Sequence, residues 1–256
     1  MDCTTSAAPA LTVAGVDRPG GRRARRLAGA VTALALLTGA AACSTVDVGP
    51  RTTQDRPVAD VTSVRLETSG RLVVQRGDEP SLQVTAGEFV LDRLTSEVVD
   101  DTLVLGVDRT GTGSLGPVEY RLTVRELAAV DVRGSGEVQG HGVTGADLAV
   151  QVSGSGDVDL TELDADGVEI LVEGSGDVRL EGRTSHEAVV LDGSGAVVAD
   201  DLDAEQADVT VRGSGDVEVH VTRDLRVVVE GSGAVTHTGD AEVDADVRGS
   251  GEVRGR

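Results

Sequence analysis

The chain has 256 residues and a formal net charge of −21 at pH 7, from 44 acidic and 23 basic residues. A surface of that sign repels the phosphates of nucleic acid and of anionic lipid headgroups, so we expect no nucleic-acid partner. Cysteine occurs only at Cys3 and Cys43, which are too few for a disulfide framework. Stability must therefore come from burial and backbone pairing.

The N-terminus predicts an export signal. An Arg-rich stretch at residues 18–26 precedes an apolar, uncharged run at residues 27–42, which is the order of regions in a signal peptide. The run is shorter than the roughly 20 residues that a membrane-spanning helix needs. We therefore interpret residues 1–42 as a signal peptide that is cleaved during export.

The residues at the predicted cleavage site indicate the type of signal. Ala40-Ala41-Ala42-Cys43-Ser44 resembles the lipobox of bacterial lipoproteins, whose cysteine is lipidated and becomes the first residue of the mature protein. The resemblance implies a lipid on Cys43 and a location on the outer face of the cytoplasmic membrane. The alternative is an ordinary signal peptide, which leaves a secreted protein with a free thiol. Residues 43–56 have no apolar period and predict a flexible tether.

A Gly-Ser-Gly tripeptide recurs seven times in the C-terminal half, at intervals of 18 to 20 residues. A fixed period of this size is typical of a solenoid, in which each repeat buries its apolar face against its neighbours. The first glycines of the seven units are Gly134, Gly154, Gly174, Gly193, Gly213, Gly231 and Gly249.

Apolar residues alternate with polar ones around each tripeptide. In the first unit Val130, Val132 and Val138 lie at even distances from Gly134, and a period of two is typical of a β-strand. The same parity predicts that both glycines face inward, where backbones can approach closely, and that the serine faces outward. Because crossovers between parallel strands are nearly always right-handed, we predict an all-β, right-handed parallel β-solenoid with coils of about 20 residues.

Residues 57–127 depart from this regularity and predict a less regular N-terminal cap. Residues 64–74 match the repeat with Thr-Ser-Gly in place of Gly-Ser-Gly, which predicts a degenerate first coil. The run 89–94 is compatible with a short helix or with an irregular excursion. We therefore predict one domain over residues 57–256, with the cap at 57–127 and the seven repeats at 128–256.

Three segments carry a resemblance to a known family. They are the turn Gln75-Arg76-Gly77-Asp78, the element Asp101-Thr102-Leu103 and the strand that ends at Gly136. Together with the repeated Gly-Ser-Gly-Asp-Val units, they make residues 58–256 similar to the head GIN domain family of autotransporter-type adhesins. The resemblance implies an exported protein, often a lipoprotein, with a β-solenoid-like fold. It supplies no catalytic residues.

The outward residues of the repeat form the candidate binding surface. Stacked coils would place the serines in one row about 4.8 Å apart, beside a row of carboxylates three positions after each first glycine. These rows could present a polar surface to a cell-wall glycan or an envelope protein. The alternatives are small residues tolerated in a turn and a solvated acidic face. The candidate residues are Ser135, Ser155, Ser175, Ser194, Ser214, Ser232, Ser250, Asp157, Asp177 and Asp216.

No residue pattern indicates a metal, a cofactor or a catalytic site. Stacked carboxylates could bind Ca²⁺, but Ala196 and Ala234 interrupt the row and the nine-residue calcium-binding repeat is absent. The four histidines share no metal-ligand spacing. No nucleophile elbow or phosphate loop surrounds the serines. We expect no cofactor and no metal.

These observations favour an exported, membrane-tethered and non-enzymatic module. It would act as an adhesin-like or envelope-associated binding or spacer protein, with the membrane as one partner through the lipid anchor. One alternative is a polysaccharide-active β-helix enzyme, because such enzymes carry carboxylates on one face. Another is an envelope-stress or signalling accessory that binds a membrane protein through the cap.

Overall fold

A computed structural model describes residues 47–108 and 113–256, which belong to one compact unit. The predicted signal peptide, residues 1–42, and the predicted lipidation site, Cys43, lie outside these ranges. Most of the described residues lie in strands, and no helix among them has the length and hydropathy of a membrane span. The elements are β1 (Arg51–Arg56), β2 (Ser63–Leu66), β3 (Arg71–Arg76), β4 (Ser81–Gly87), α1 (Glu88–Leu91), β5 (Leu94–Val99), β6 (Thr102–Val107), β7 (Glu119–Val124), β8 (Ala129–Gly134), β9 (Glu137–His141), β10 (Thr144–Gly154), β11 (Asp157–Gly174), β12 (Asp177–Gly193), β13 (Ala196–Gly213), β14 (Asp216–Gly231), β15 (Ala234–Thr238), β16 (Glu242–Gly249) and β17 (Glu252–Gly255).

From β8 onward, each coil pairs with its neighbours through parallel strands. β8 pairs with β10, β10 with β11, and the pairing continues through β12, β13, β14 and β16. The first glycine of each tripeptide lies opposite the first glycine of the next coil, from Gly134 to Gly249. The prediction of an all-β parallel solenoid with coils of about 20 residues is confirmed.

The core consists of aliphatic columns that run along the stack. The residues two before and four after the first glycine are at most 1% exposed in the first six units. Each buried valine or leucine contributes about 1.5–3 kcal/mol through removal of its side chain from water. The columns, rather than any single contact, therefore hold the domain together.

The Gly-Ser-Gly corner is more constrained than the alternation predicts. The second glycine is buried in the first six units, as predicted, but the first is partly exposed and has a φ between 111° and 145° in all seven. The prediction that both glycines face inward is therefore wrong for the first one, because a positive φ turns the chain there. From Gly154 onward, a Cβ at this position would collide with the carbonyl oxygen of the glycine in the preceding coil.

Backbone hydrogen bonds join these corners to one another. The N–H of each serine from Ser155 to Ser250 donates to the carbonyl oxygen of the first glycine in the preceding coil, with N···O distances of 2.8–2.9 Å. The bonds form a continuous ladder along the stack. Glycine is required because only a residue without a Cβ lets these peptide groups approach so closely.

Differences in coil length are accommodated away from the Gly-Ser-Gly corners, at the next turn of each coil. Leu160 of β11 pairs with Leu180 of β12, whereas Leu163 pairs with Gly182, so one residue of β11 is left over between them. Glu162 lies in this interval with a φ of 54°, which is uncommon for a residue other than glycine. We call residues 141–144, 161–164, 181–183 and 200–203 the second corners. The Gly-Ser-Gly corners keep their register while the second corners vary.

The N-terminal cap has a different order in space than along the chain. β2 and β3 form one coil, which lies between the coil of β6 and β7 and the coil of β8 and β9. Residues 64–74 thus belong to a coil, as predicted. The prediction that this coil is the first of the stack is wrong, because β6 and β7 follow it in the chain but lie outside it in the stack. β5 then pairs antiparallel with β6, and β4 pairs antiparallel with β7. Such antiparallel pairing covers the outer edges of β6 and β7.

Part of the predicted tether is a strand. Residues 51–56, which we assigned to the flexible tether, form β1 and pair antiparallel with β4. The Arg56 guanidinium donates to the carbonyl oxygens of Leu91 and Leu94 at 2.8 and 2.6 Å. An edge strand is held by its backbone and such contacts, so it needs no apolar period. The short helix considered for the run 89–94 is present as α1 and ends earlier, at Leu91.

One carboxylic acid lies inside the apolar core. Glu187 is fully buried between Val168 and Ala207 of the adjacent coils, and neither carboxyl oxygen has a hydrogen-bond partner among the described residues. Burial raises the pKa of Glu187 to about 8, because a charged carboxylate is costly in an apolar environment. The folded protein therefore carries this group protonated at neutral pH.

We predict that Glu187 makes folding stability decrease as pH rises. Between pH 4.5 and about 8 the folded state keeps the proton that the unfolded state loses, so the free energy of unfolding should fall by about 1.4 kcal/mol per pH unit from this group. Glu187→Gln keeps the shape and removes the titration. Urea unfolding of both proteins across this pH range measures the effect. A difference between them that does not change with pH would show that Glu187 titrates normally.

Candidate functional site

The serines of the candidate binding surface lie in one exposed row along the Gly-Ser-Gly corners. Their backbone N–H groups, from Ser155 onward, are occupied by the ladder to the preceding coil. Their side chains remain accessible to a ligand. The backbone of this row is structural, and only the hydroxyls are available for recognition.

The acidic residues of the candidate surface bond to the backbone of the following coil. The Asp157 carboxylate accepts from the N–H of Asp177 at 3.3 Å, and the Asp177 carboxylate accepts from the N–H of Ala196 at 2.9 Å. Asp216 accepts from the N–H of Ala234 at 3.2 Å. A carboxylate at this position thus satisfies a backbone donor just after the corner, which gives the acidic row a structural role.

Arginine and acidic residues also pair between successive coils along the walls. Arg223 contacts Glu205 at 2.9 Å, and Arg226 contacts Asp208 at 3.5 Å. Exposed pairs of this kind contribute little to stability. They do reduce the repulsion among stacked carboxylates, which matters in a chain with a net charge of −21.

A concavity among the described residues lies at the second corners and not at the candidate rows. It is an open groove of about 810 Å³ that crosses several coils. It forms where coil lengths differ, around the leftover residue Glu162 and next to a second register change before Asp203. Its lining residues are Gln75, Arg76, His141, Gly142, Thr144, Glu162, Leu163, Asp164, Gly182, Arg183 and Asp203.

The groove presents charges of both signs in close pairs. His141 Nε2 lies 3.1 Å from a carboxylate oxygen of Glu162, and Arg183 Nε donates to Asp164 at 2.9 Å. The Arg183 hydrogen bond holds the pKa of the Asp164 carboxyl below its ordinary value. The lining therefore presents hydrogen-bond donors and acceptors side by side, which suits a ligand with hydroxyl, amide and charged groups.

This groove was not predicted from the sequence. One signal for it is visible: the interval between first glycines drops from 20 to 19 residues between Gly174 and Gly193. Such a change must be absorbed somewhere in the coil, but the sequence does not show at which corner. Among the described residues, no three histidine, cysteine, aspartate or glutamate side chains form a cluster that could hold a metal ion.

Solved structures resemble this fold. A protein described as a "putative adhesin" from Bacteroides fragilis NCTC 9343 has a TM-score of 0.77 and 22% identity, over 81% of this chain and 97% of its own. A "putative lipid binding protein" from Parabacteroides distasonis ATCC 8503 has a TM-score of 0.70 and 23% identity, over 81% and 97%. A "putative adhesin" from the same organism has a TM-score of 0.66 and 22% identity, over 81% and 98%. At these identities the likeness establishes the fold alone.

No curated protein matches the chain. The family described as "Putative auto-transporter adhesin, head GIN domain" matches residues 60–241, which include nearly all of the cap and the first six Gly-Ser-Gly units. The match agrees with the resemblance found in the sequence and with the solenoid that the strands form. The chain belongs to the head GIN domain family and contains an adhesin-like domain.

Proposed function

We propose that this protein is an exported, membrane-tethered and non-enzymatic binding or spacer module of the cell envelope. The lipobox-like sequence supports a lipid on Cys43 and a location on the outer face of the cytoplasmic membrane. The observation that carries the binding role is the groove at the second corners, because polar side chains of both charges from several coils converge there.

The groove chemistry favours a cell-wall glycan that carries peptide groups. Arg76, His141 and Arg183 supply donors, while Glu162 and Asp164 supply acceptors. The groove crosses several coils, so it suits an extended polymer rather than a compact metabolite. Hydrogen bonds to charged groups give such a site orientation and specificity.

A second candidate is binding of an envelope protein through the cap. Phe89 is 63% exposed there, and Val98 and Val99 of the edge strand β5 are also exposed. Exposed apolar residues beside a strand edge are common at protein interfaces. This candidate corresponds to an envelope-stress or signalling accessory.

We predict that Cys43→Ala releases the protein from membranes. The substitution removes the thioether attachment point for the lipid, and without a lipid the strongly acidic domain has no affinity for an anionic membrane surface. Fractionation of cells that express the two forms measures this. Equal amounts of both forms in the membrane fraction would contradict lipid anchoring.

We predict that soluble cell-wall fragments bind the groove and not the serine row. Arg183→Ala should weaken binding about tenfold or more, because it removes a charged donor. The matched control is Arg226→Ala, which removes an equivalent Arg–Asp pair outside the groove. That variant, and a combined Ser155→Ala, Ser175→Ala and Ser194→Ala variant, should bind like the parent protein in calorimetric titrations.

Three outcomes would contradict this assignment. Loss of binding in the serine variant alone would show that the binding site lies at the Gly-Ser-Gly corners. Shortening of the glycan, abolished when Asp157, Asp177 and Asp216 are changed to Asn, would establish an enzyme. Failure of all fragments to bind, with cellular crosslinks confined to residues 75–125, would favour the protein partner at the cap.

A further inference from the structure

The last coil of the stack, residues 242–256, has an exposed outer side. β16 pairs with β14 and β17 pairs with β15, and no described strand pairs with their other edges. Val243 and Val247 are 37% and 41% exposed, whereas Leu225 and Val229, which occupy the same columns one coil earlier, are 1% and 0% exposed. Among the described residues, the apolar columns are therefore exposed at this coil.

Such an end favours association with another strand. A row of unpaired backbone N–H and C=O groups is a template for strand addition, and proteins usually cover it. The opposite end of this solenoid is covered by antiparallel β4 and β5. Residues 242–256 have no equivalent cover within the described chain.

The charges of β17 are arranged to pair with the same strand of a second copy. The segment reads Glu252-Val253-Arg254. If two copies pair antiparallel around Val253, Glu252 of each copy lies opposite Arg254 of the other, so both cross-strand pairs are attractive. A partner with a different sequence would not be expected to match this two-fold pattern.

The charges of β16 also suit antiparallel pairing with the same strand of a second copy. If β16 pairs antiparallel around Asp246, Asp244 of each copy lies opposite Arg248 of the other, and Ala245 lies opposite Val247. The inward apolar residues then meet on one face and the attractive charge pairs on the other. Asp246 of one copy then lies opposite Asp246 of the other, and these two carboxylates repel each other. The contact of Asp246 with Arg248 of the same strand reduces this repulsion.

We propose that residues 242–256 dock against the same coil of a second copy through antiparallel strand pairing. The partner is this chain itself, and the contact is isologous, so it closes after two copies. Joined in this way, the two solenoids form one rod with the caps at opposite ends. The inference goes beyond the proposed function and does not depend on the groove or on the lipid.

Charge reversal tests this docking directly. The full chain, with Cys3→Ala and Cys43→Ala to remove association through thiols or lipid, should form dimers in sedimentation equilibrium. Glu252→Arg places arginine opposite Arg254 in both pairs and should raise the dissociation constant about tenfold or more. Adding Arg254→Glu to it restores two attractive pairs and should restore the dimer. Glu169→Arg, the same charge change at an exposed residue of a middle coil, should have no effect.

The same samples give outcomes that would overturn the proposal. It fails if the chain is monomeric at every concentration, or if Glu252→Arg leaves the dimer unchanged. It also fails if the double charge reversal does not restore association while circular dichroism shows that the variant is folded. Small-angle scattering adds an independent readout, because an end-to-end dimer should be nearly twice as long as the monomer. A dimer with the monomer's length would indicate side-by-side association and would contradict the docking.

Discussion

The close contact between glycine backbones at the Gly-Ser-Gly corners is the constraint on which the solenoid depends. Each serine N–H donates to a glycine carbonyl one coil away at 2.8–2.9 Å, and this approach leaves no space for a Cβ. Once the corners are stacked in this way, the residues on both sides are fixed in register. The valines and the one leucine, Leu191, that lie two before and four after each first glycine then form continuous columns. These columns supply the burial that stabilises the domain.

Because the Gly-Ser-Gly corners keep a strict register, variation in coil length occurs at the second corners. Coils of 18 to 20 residues can share identical Gly-Ser-Gly corners only if extra residues leave the sheet elsewhere. They leave at the second corners, where Glu162 takes a positive φ and where the groove opens. The most repetitive part of the sequence is therefore mainly architectural. The part that differs from coil to coil is where the groove lies.

Much of the fold could be predicted from the sequence because its determinants are local and repeated. The period of glycines indicates a solenoid, and the two-residue alternation identifies the buried columns. The same alternation could have revealed Glu187, which lies six residues before Gly193 and therefore at an inward position. The alternation gave the wrong orientation for the first glycine, because a positive φ is a backbone property that the spacing of apolar residues does not encode.

Features that depend on distant pairing could not be predicted in this way. The strand β1 has no apolar period and is held by β4 and by the Arg56 contacts. The position of the β2–β3 coil inside the stack depends on the later return of β6 and β7. The groove requires side chains from several coils to meet at one corner.

The serine and acidic rows were predicted to lie at the surface, and they do. The carboxylates of Asp157, Asp177 and Asp216 also accept hydrogen bonds from backbone N–H groups, which the sequence does not show.

The most direct test of the corner constraint compares two neighbouring residues of one corner. Gly174 has a φ of 133° and contacts the preceding coil, whereas the Ser175 side chain is exposed. Gly174→Ala should lower the free energy of unfolding by about 3 kcal/mol or more, because it adds both backbone strain and a collision with Gly154. Ser175→Ala should change it by less than about 0.5 kcal/mol. Urea unfolding of the two variants beside the parent protein measures this, and similar stability of both variants would contradict the account.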